Sequence, residues 1–154
     1  MLEVRLATLN DVEAICRLYN EFFAYNAGLQ PKYYKAGEEL GEYPKNTIED
    51  QNADIFIAVE NNDAVGFIHI RKAKTPAFDS VVPHNYAQII DFIVTTSCRE
   101  KGIGSRLMDA AKLWSRDLNL EYIELLVLHN ANEAFSFYER KDFDTVSHTM
   151  RCTL

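Results

Sequence analysis

Residues 89–117 read Ile89-Ile90-Asp91-Phe92-Ile93-Val94, then Thr95-Thr96-Ser97-Cys98-Arg99-Glu100-Lys101-Gly102-Ile103-Gly104, then a helical repeat to Asp117. The first run is apolar and rich in β-branched residues, the mark of a buried strand. From Ile103 onward, Leu107, Ala111, Trp114 and Leu118 recur at steps of three and four and form one apolar helix face. The polar turn between them holds Gly102 and Gly104. A strand that enters a helix through such a turn leaves several backbone N–H groups unpaired at the helix start. Together with the helix dipole these favour an anion, typically a phosphate. Glycine lets the backbone approach that anion, because no Cβ intervenes.

The turn fits neither of two common phosphate loops. Leu107 stands where the dinucleotide fingerprint needs a third glycine, and the Gly-Lys-Ser/Thr of the Walker loop is absent. Ser97-x-x-Glu100 matches a capping box that would start the helix early. Both glycines would then sit in its first turns, at up to about 1 kcal/mol each relative to Ala. A start near Lys101 to Ile103 avoids this and leaves the preceding N–H groups free.

A second strand-like run, Tyr122–Leu128, is followed by helix-like sequence with Ala134, Phe137-Tyr138-Glu139 and Phe143. Arg99-x-x-Gly102-x-Gly104 resembles the acetyl-CoA pyrophosphate loop of the GCN5-related N-acetyltransferase (GNAT) superfamily. Phe137-Tyr138-Glu139-Arg140-Lys141-Asp142-Phe143 resembles the family's second signature, with Asp142 where Gly is usual. Both motifs stand in the family's order, and the resemblance covers most of the chain.

The 154 residues suffice for one domain, 1–154, with a single core. Hydrophobic content of 47% and charged content of 25% are ordinary for a globular protein. No apolar run approaches the roughly 20 residues of a membrane span, and the first residues lack a signal-peptide pattern, so a cytoplasmic location is expected. The net charge of −7 argues against a nucleic-acid binder. Cys16, Cys98 and Cys152 are far apart and fit reduced thiols, with neither a disulfide framework nor metal-ligand spacing, so no metal is expected.

In order along the chain, Leu2–Leu6 alternates as a first strand. Thr8 or Asn10 can cap a helix whose apolar face is Val12, Ile15, Tyr19, Phe22 and Phe23, bordered by Cys16. Residues 26–46 read as a long connection carrying Tyr33, Tyr34 and Tyr43, in which Lys32, Lys35 and Lys45 balance Glu38, Glu39 and Glu42. Thr47 can cap a short helix through Asn52. Asp54–Glu60 and Ala64–Lys72 read as strands joined by a hairpin turn at Asn61-Asn62-Asp63. Gly66 inside the second marks a bulge or close backbone approach. His69 points opposite to Ile68 and Ile70. Asn130 or Asn132 can cap the last helix, Asn130 with Glu133 as a capping box. Val146–Leu154 alternates loosely and reads as a closing strand. The order β-α-α-β-β-β-α-β-α-β gives an α/β, three-layer α+β sandwich whose mixed, mostly antiparallel sheet is flanked by helices.

The resemblance implies an acetyl-CoA-dependent N-acetyltransferase that acts by direct transfer to an amine. It implies an acyl-CoA site in a splay after the central strand, with the backbone N–H of Ile93 or Val94 at the thioester oxygen. It places Arg99, Lys101, Gly102, Ile103, Gly104 and Ser105 at the phosphates, and Tyr138 as the acid that protonates the departing thiolate. The family's pantetheine-contacting Asn falls at Ala131, so Asn130 or Asn132 takes that place or the contact is missing. The end of the first helix and the long connection border the acceptor, which puts Tyr25, Tyr34 and His69 in view. Many relatives form homodimers.

On the residues alone, Asp91 is the lone acid in an apolar strand, costly unless paired and hence a candidate base; its alternative is a structural salt bridge. His69 and Glu60 are weaker candidates. Arg106 could add charge near the phosphates. Cys98 sits next to a helix start, but no Cys-His-acid pattern supports a nucleophile. The competing function is a non-catalytic module that binds acyl-CoA as a regulatory ligand. Small amines, amino acids, polyamines and protein amines all remain open as acceptors.

Overall fold

The computed structural model describes residues 1–37 and 41–154. Strands β1 (Leu2–Leu6), β2 (Ala53–Glu60), β3 (Asp63–Lys74), β4 (Asn85–Val94) and β5 (Ile123–Leu125) stand side by side in that order. Neighbours are antiparallel except β4 and β5, which are parallel. Helices α1 (Val12–Leu29) and α2 (Tyr43–Glu49) cover one face. Helices α3 (Ile103–Asp117) and α4 (Asn132–Arg140) cover the other. The expected α/β class with a mixed, mostly antiparallel sheet is therefore the fold observed. Among the described residues no helix is long and apolar enough to cross a membrane.

Local sequence explains how these elements form. The Asp11 carboxylate accepts the Thr8 backbone N–H at 2.7 Å, closing a capping box around a single 3-10 turn that feeds α1. Helix α1 then buries Ile15, Leu18 and Tyr19, with Phe22 and Phe23 packed beside them. Leu18 lies outside the predicted stripe but falls on the same face. The β2–β3 hairpin turns at Asn61 and Asn62, with φ of 51° and 66°. Two successive left-handed residues suit the primed two-residue turn that matches strand twist, and Asn tolerates that region well. At Gly66 an added Cβ would lie 2.7 Å from the Ile93 carbonyl oxygen, the close approach the sequence suggested.

Helix α3 drives the core on its face of the sheet. Ile103, Leu107, Met108 and Ala111 are buried against Ile68, Ile70, Ala87 and Ile89. Leu107 is completely buried, so truncation to Ala should cost about 2–5 kcal/mol.

Several expectations change. Helix α1 continues to Leu29, and α2 begins at Tyr43 because Pro44 suits the first turn of a helix. Thr47 lies inside α2, its hydroxyl donating to the Tyr43 carbonyl at 3.0 Å, and caps nothing. Asn130 is not the cap of α4: its amide donates to the Leu29 carbonyl at 2.6 Å, and the helix starts at Asn132. Strand β5 pairs over only a short part of the predicted run. The closing strand is absent. Residues 144–154 are exposed and make no backbone hydrogen bond among the described residues. Alternation and Thr-rich composition give strand propensity, but a strand forms only where a neighbour accepts its N–H groups. Glu38 and Glu39, part of the charge balance read in the long connection, lie outside the described residues.

Candidate active site

The central strand carries a bulge that decides what its side chains face. Ile70 on β3 pairs with Ile89 and His69 with Asp91, leaving Ile90 as an extra residue. A single inserted residue reverses the alternation beyond it. Before the bulge, Ala87 and Ile89 face α3. After it, Phe92 and Val94 face α3, while Asp91 and Ile93 face α1.

Asp91 thereby enters a polar cluster within an aromatic shell. The Tyr19 hydroxyl donates to its Oδ2 at 2.5 Å. His69 Nδ1 lies 3.6 Å from the same oxygen, and the Tyr43 hydroxyl stands 3.4 Å from His69 Nδ1. The rings of Phe67 and Phe23 lie 4.7 and 5.6 Å from Tyr19. Burial, reinforced by the Asp91 charge, pushes the Tyr19 phenol far above its ordinary pKa. The same causes raise Tyr43. Both phenols therefore keep their protons at neutral pH. Asp91 is paired, yet not to a cation of fixed charge, so no permanent salt bridge neutralises it.

The glycine turn has the expected geometry. Helix α3 starts at Ile103, with Gly102 as N-cap at φ 80° and Glu100 left-handed at 63°. The Lys101 and Gly102 N–H groups have no acceptor among the described residues. The first N–H groups of α3, at Ile103, Gly104 and Ser105, have no partner within the helix. Ile103 is buried, so it offers only its backbone, whereas Lys101 is exposed. These groups fit a pyrophosphate. Arg99 folds back: its Nε donates to the Val94 carbonyl at 3.1 Å and its guanidinium lies 5.2 Å from the Tyr25 ring centroid. Arg106 donates to the Leu2 carbonyl at 2.9 Å, on β1.

Strands β4 and β5 pair only from Ala87 to Ile89, so residues 90–94 have a free edge and the two strands diverge. The Thr95 N–H bonds Val65 on the β3 side, whereas the Val94 carbonyl is engaged by Arg99. Backbone groups alternate along a strand, so Val94, rather than Ile93, presents its N–H to the divergence. Glu21 on α1 fixes this end of β4, accepting the Thr95 hydroxyl at 2.7 Å and the Thr96 N–H at 2.8 Å. Burial would raise the Glu21 pKa, but those hydrogen bonds outweigh it and hold it low.

Tyr138 packs on the α3 face among Phe92, Phe137 and Phe143. Burial, then the neighbouring Tyr25, pushes its phenol well above the ordinary value. Asp142, in the place of the usual Gly, adopts φ 69°. Asn132 stands at the first position of α4. Tyr34 is exposed and makes no side-chain hydrogen bond among the described residues. Glu60 lies at the hairpin end of β2, opposite Leu2 and away from the cluster. Cys98 packs against the α3-face core, and its thiol lies 3.7 Å from the Ser97 hydroxyl. The structure adds Tyr19 and Tyr43. Tyr19 read as an apolar-face residue and Tyr43 as a loop residue; only the approach of α1 and α2 to β4 marks them.

Residues 12–143 match the pattern of the acetyltransferase (GNAT) family. The chain is 28% identical to the uncharacterized N-acetyltransferase YhfO of Bacillus subtilis, over 93% of this chain and 90% of that protein. Among solved structures, a mutant of the BH1408 protein from Bacillus halodurans superposes with a TM-score of 0.91 at 20% identity, covering 99% of each chain. An aminoglycoside acetyltransferase from an uncultured soil metagenomic sample, solved with trehalose, superposes with a TM-score of 0.73 at 19% identity, covering 99% of this chain and 97% of that one.

Proposed function

This chain belongs to the acetyltransferase (GNAT) family, and we propose that it transfers the acetyl group of acetyl-CoA to a primary amine by direct transfer in a ternary complex. The observation that carries this reading is the Ile90 bulge, which turns Asp91 out of the α3 core towards Tyr19 and His69. An amine must be neutral before it attacks a thioester. Asp91, directly or through one water, takes that proton, and His69 borders the acceptor.

The thioester lies in the divergence between β4 and β5. The Val94 N–H donates to its carbonyl oxygen as negative charge develops there. Tyr138, whose proton is firmly held at neutral pH, gives it to the departing thiolate. The N–H groups from Lys101 to Ser105 hold the pyrophosphate, with the Lys101 charge beside it, and Asn132 reaches the pantetheine arm. Tyr25, Tyr34 and Tyr43 border the acceptor.

The amine class is found by a thiol-release screen with acetyl-CoA over small amines, amino acids, polyamines and peptides. Turnover of one class that is lost in Asp91→Asn supports the reading. Tight acetyl-CoA binding with no turnover of any amine would replace it with a regulatory acyl-CoA-binding module.

A further inference from the structure

Three polar side chains stand in one row on the sheet floor beside Asp91. Arg71 on β3 pairs with Gln88 on β4, and Gln88 pairs with Glu124 on β5. Ile70, Ala87, Ile89, Ile123 and Leu125 alternate with them and pack on the α3 side, which puts all three on the α1 side. The Arg71 charge is close enough to the Tyr43 phenol to offset part of the rise in its pKa, in agreement with that facing.

The row is open to solvent. Arg71 and Glu124 are exposed, and Gln88 is half-buried. Neither Arg71 nor Glu124 makes an ion pair among the described residues. Two opposite charges thus stand two strand spacings apart, about 10 Å, with an amide between them. This is the complement of the charged end of an amino acid. A guanidinium takes a carboxylate through two parallel N–H donors. The Glu124 carboxylate takes the ammonium. The Gln88 amide can donate to the first group and accept from the second.

The row also lies at a useful distance from the candidate base. Arg71 is two residues from His69 on the same strand face, and His69 is opposite Asp91. That step is about 7 Å along the sheet, the reach of a side chain of three or four methylenes. In the other direction, the stacked rings of Tyr86 and Tyr122 lie 4.9 Å apart, one pleat further from Asp91. They bound the row on that side, which suits a small molecule.

We propose that Arg71, Gln88 and Glu124 hold the α-carboxylate and α-ammonium of a free diamino acid, whose side-chain amine reaches Asp91 and is the acceptor. The proposal deepens the acetyl-transfer reading and rests on it for the role of Asp91. The side-chain nitrogen bonds the acetyl carbon as the carbon–sulfur bond breaks. Its ammonium form gives up two protons in all. One goes to water through Asp91, and the other restores the Tyr138 hydroxyl after it has protonated the sulfur.

Calorimetric titration in the presence of CoA tests the row without requiring turnover. Lysine or ornithine should bind at least about tenfold more tightly than its decarboxylated diamine, cadaverine or putrescine. It should exceed by a similar factor the matching ω-amino acid, which lacks the α-amine. Arg71→Gln should bring the amino acid down to the level of its diamine and leave the diamine unchanged. Glu124→Gln should bring it down to the level of the ω-amino acid and leave that ligand unchanged. A parent protein that binds neither amino acid, or binds it no better than the diamine, would overturn the proposal with no variant needed. So would equal binding of lysine with both α-groups capped, the form a protein side chain presents. Variants that weaken all three ligands alike would also overturn it. Thiol release with the bound amino acid judges the acetyl-transfer reading separately: binding without release would remove Asp91 as base and leave the row in place.

Discussion

Tyr19 on α1 and Asp91 on β4 meet at 2.5 Å, with the phenol donating to carboxylate Oδ2. The contact joins a helix to the strand segment that the Ile90 bulge has turned over. Because the Tyr19 pKa is pushed far up, this donor keeps its proton throughout the working pH range. Tyr19 therefore positions the Asp91 side chain.

Tyr19→Phe removes the hydroxyl and keeps the ring among Phe23 and Phe67. The Asp91 side chain then loses the donor that fixes it, so kcat/KM should fall about tenfold while acetyl-CoA affinity stays near that of the parent. A parental kcat/KM would remove Tyr19 as a positioning residue. Asp91→Asn should lower kcat by about 10²–10⁴-fold, again with acetyl-CoA affinity near that of the parent. A parental kcat across the pH range in Asp91→Asn would remove Asp91 as base.

Tyr138→Phe keeps the packing against Phe92, Phe137 and Phe143. Acetyl-CoA affinity should change little, and the chemical step in a single turnover should slow by about 10²–10⁴-fold. A chemical step at the parental rate across the pH range would make Tyr138 a packing residue.

Gly102 and Gly104 should fail for different reasons. At φ 80°, Gly102 has a backbone that costs a β-branched residue about 1–2 kcal/mol, so Gly102→Val should weaken acetyl-CoA binding by disturbing the turn itself. At Gly104 even a Cβ would lie 3.4 Å from the Phe137 and Phe92 rings, so the added branches of Gly104→Val press on both. Calorimetric titration of each folded variant with CoA checks this. Parental affinity in both would remove the turn as the phosphate site.

The Arg5 hydrogen bond lowers the Asp11 pKa from 3.8 to about 2, assisted by Thr8. The folded-state value is depressed, so the stabilisation is complete above about 4 and is lost as pH falls towards 2. The pair is partly open to solvent, which reduces its worth to about 1 kcal/mol. Urea unfolding should show Asp11→Asn less stable by about that much at pH 7, with the difference shrinking below pH 3. Equal stability at pH 7 would contradict the capping role.

Much of the fold could be read from short-range sequence. The Gly102 turn, the Asn61-Asn62 hairpin, the close approach at Gly66 and the left-handed Asp142 each follow from one or two residues. What Asp91 faces could not be read, because Ile90 reverses the alternation and bulges leave no signature in an apolar run. Tyr19 and Tyr43 were equally hidden, since their meeting with Asp91 and His69 depends on helix placement across the sheet. The segment after Phe143 had strand chemistry, but pairing requires a neighbour that local sequence does not supply.

The extra residue at Ile90 gives β4 two halves of opposite phase, and this makes length count for more than identity. Losing Ile90 would leave Ile70 opposite Ile89 and His69 opposite Asp91 in unbroken alternation, so the carboxylate would keep its α1 facing without the bulge. A second residue added between Ile89 and Asp91, with only one of the two bulged out, would carry the carboxylate into the α3 core and turn Phe92 towards α1. No replacement elsewhere could reverse that, because the error would lie in spacing. A chain built this way tolerates drift in the side chains of β4 far better than an insertion within it.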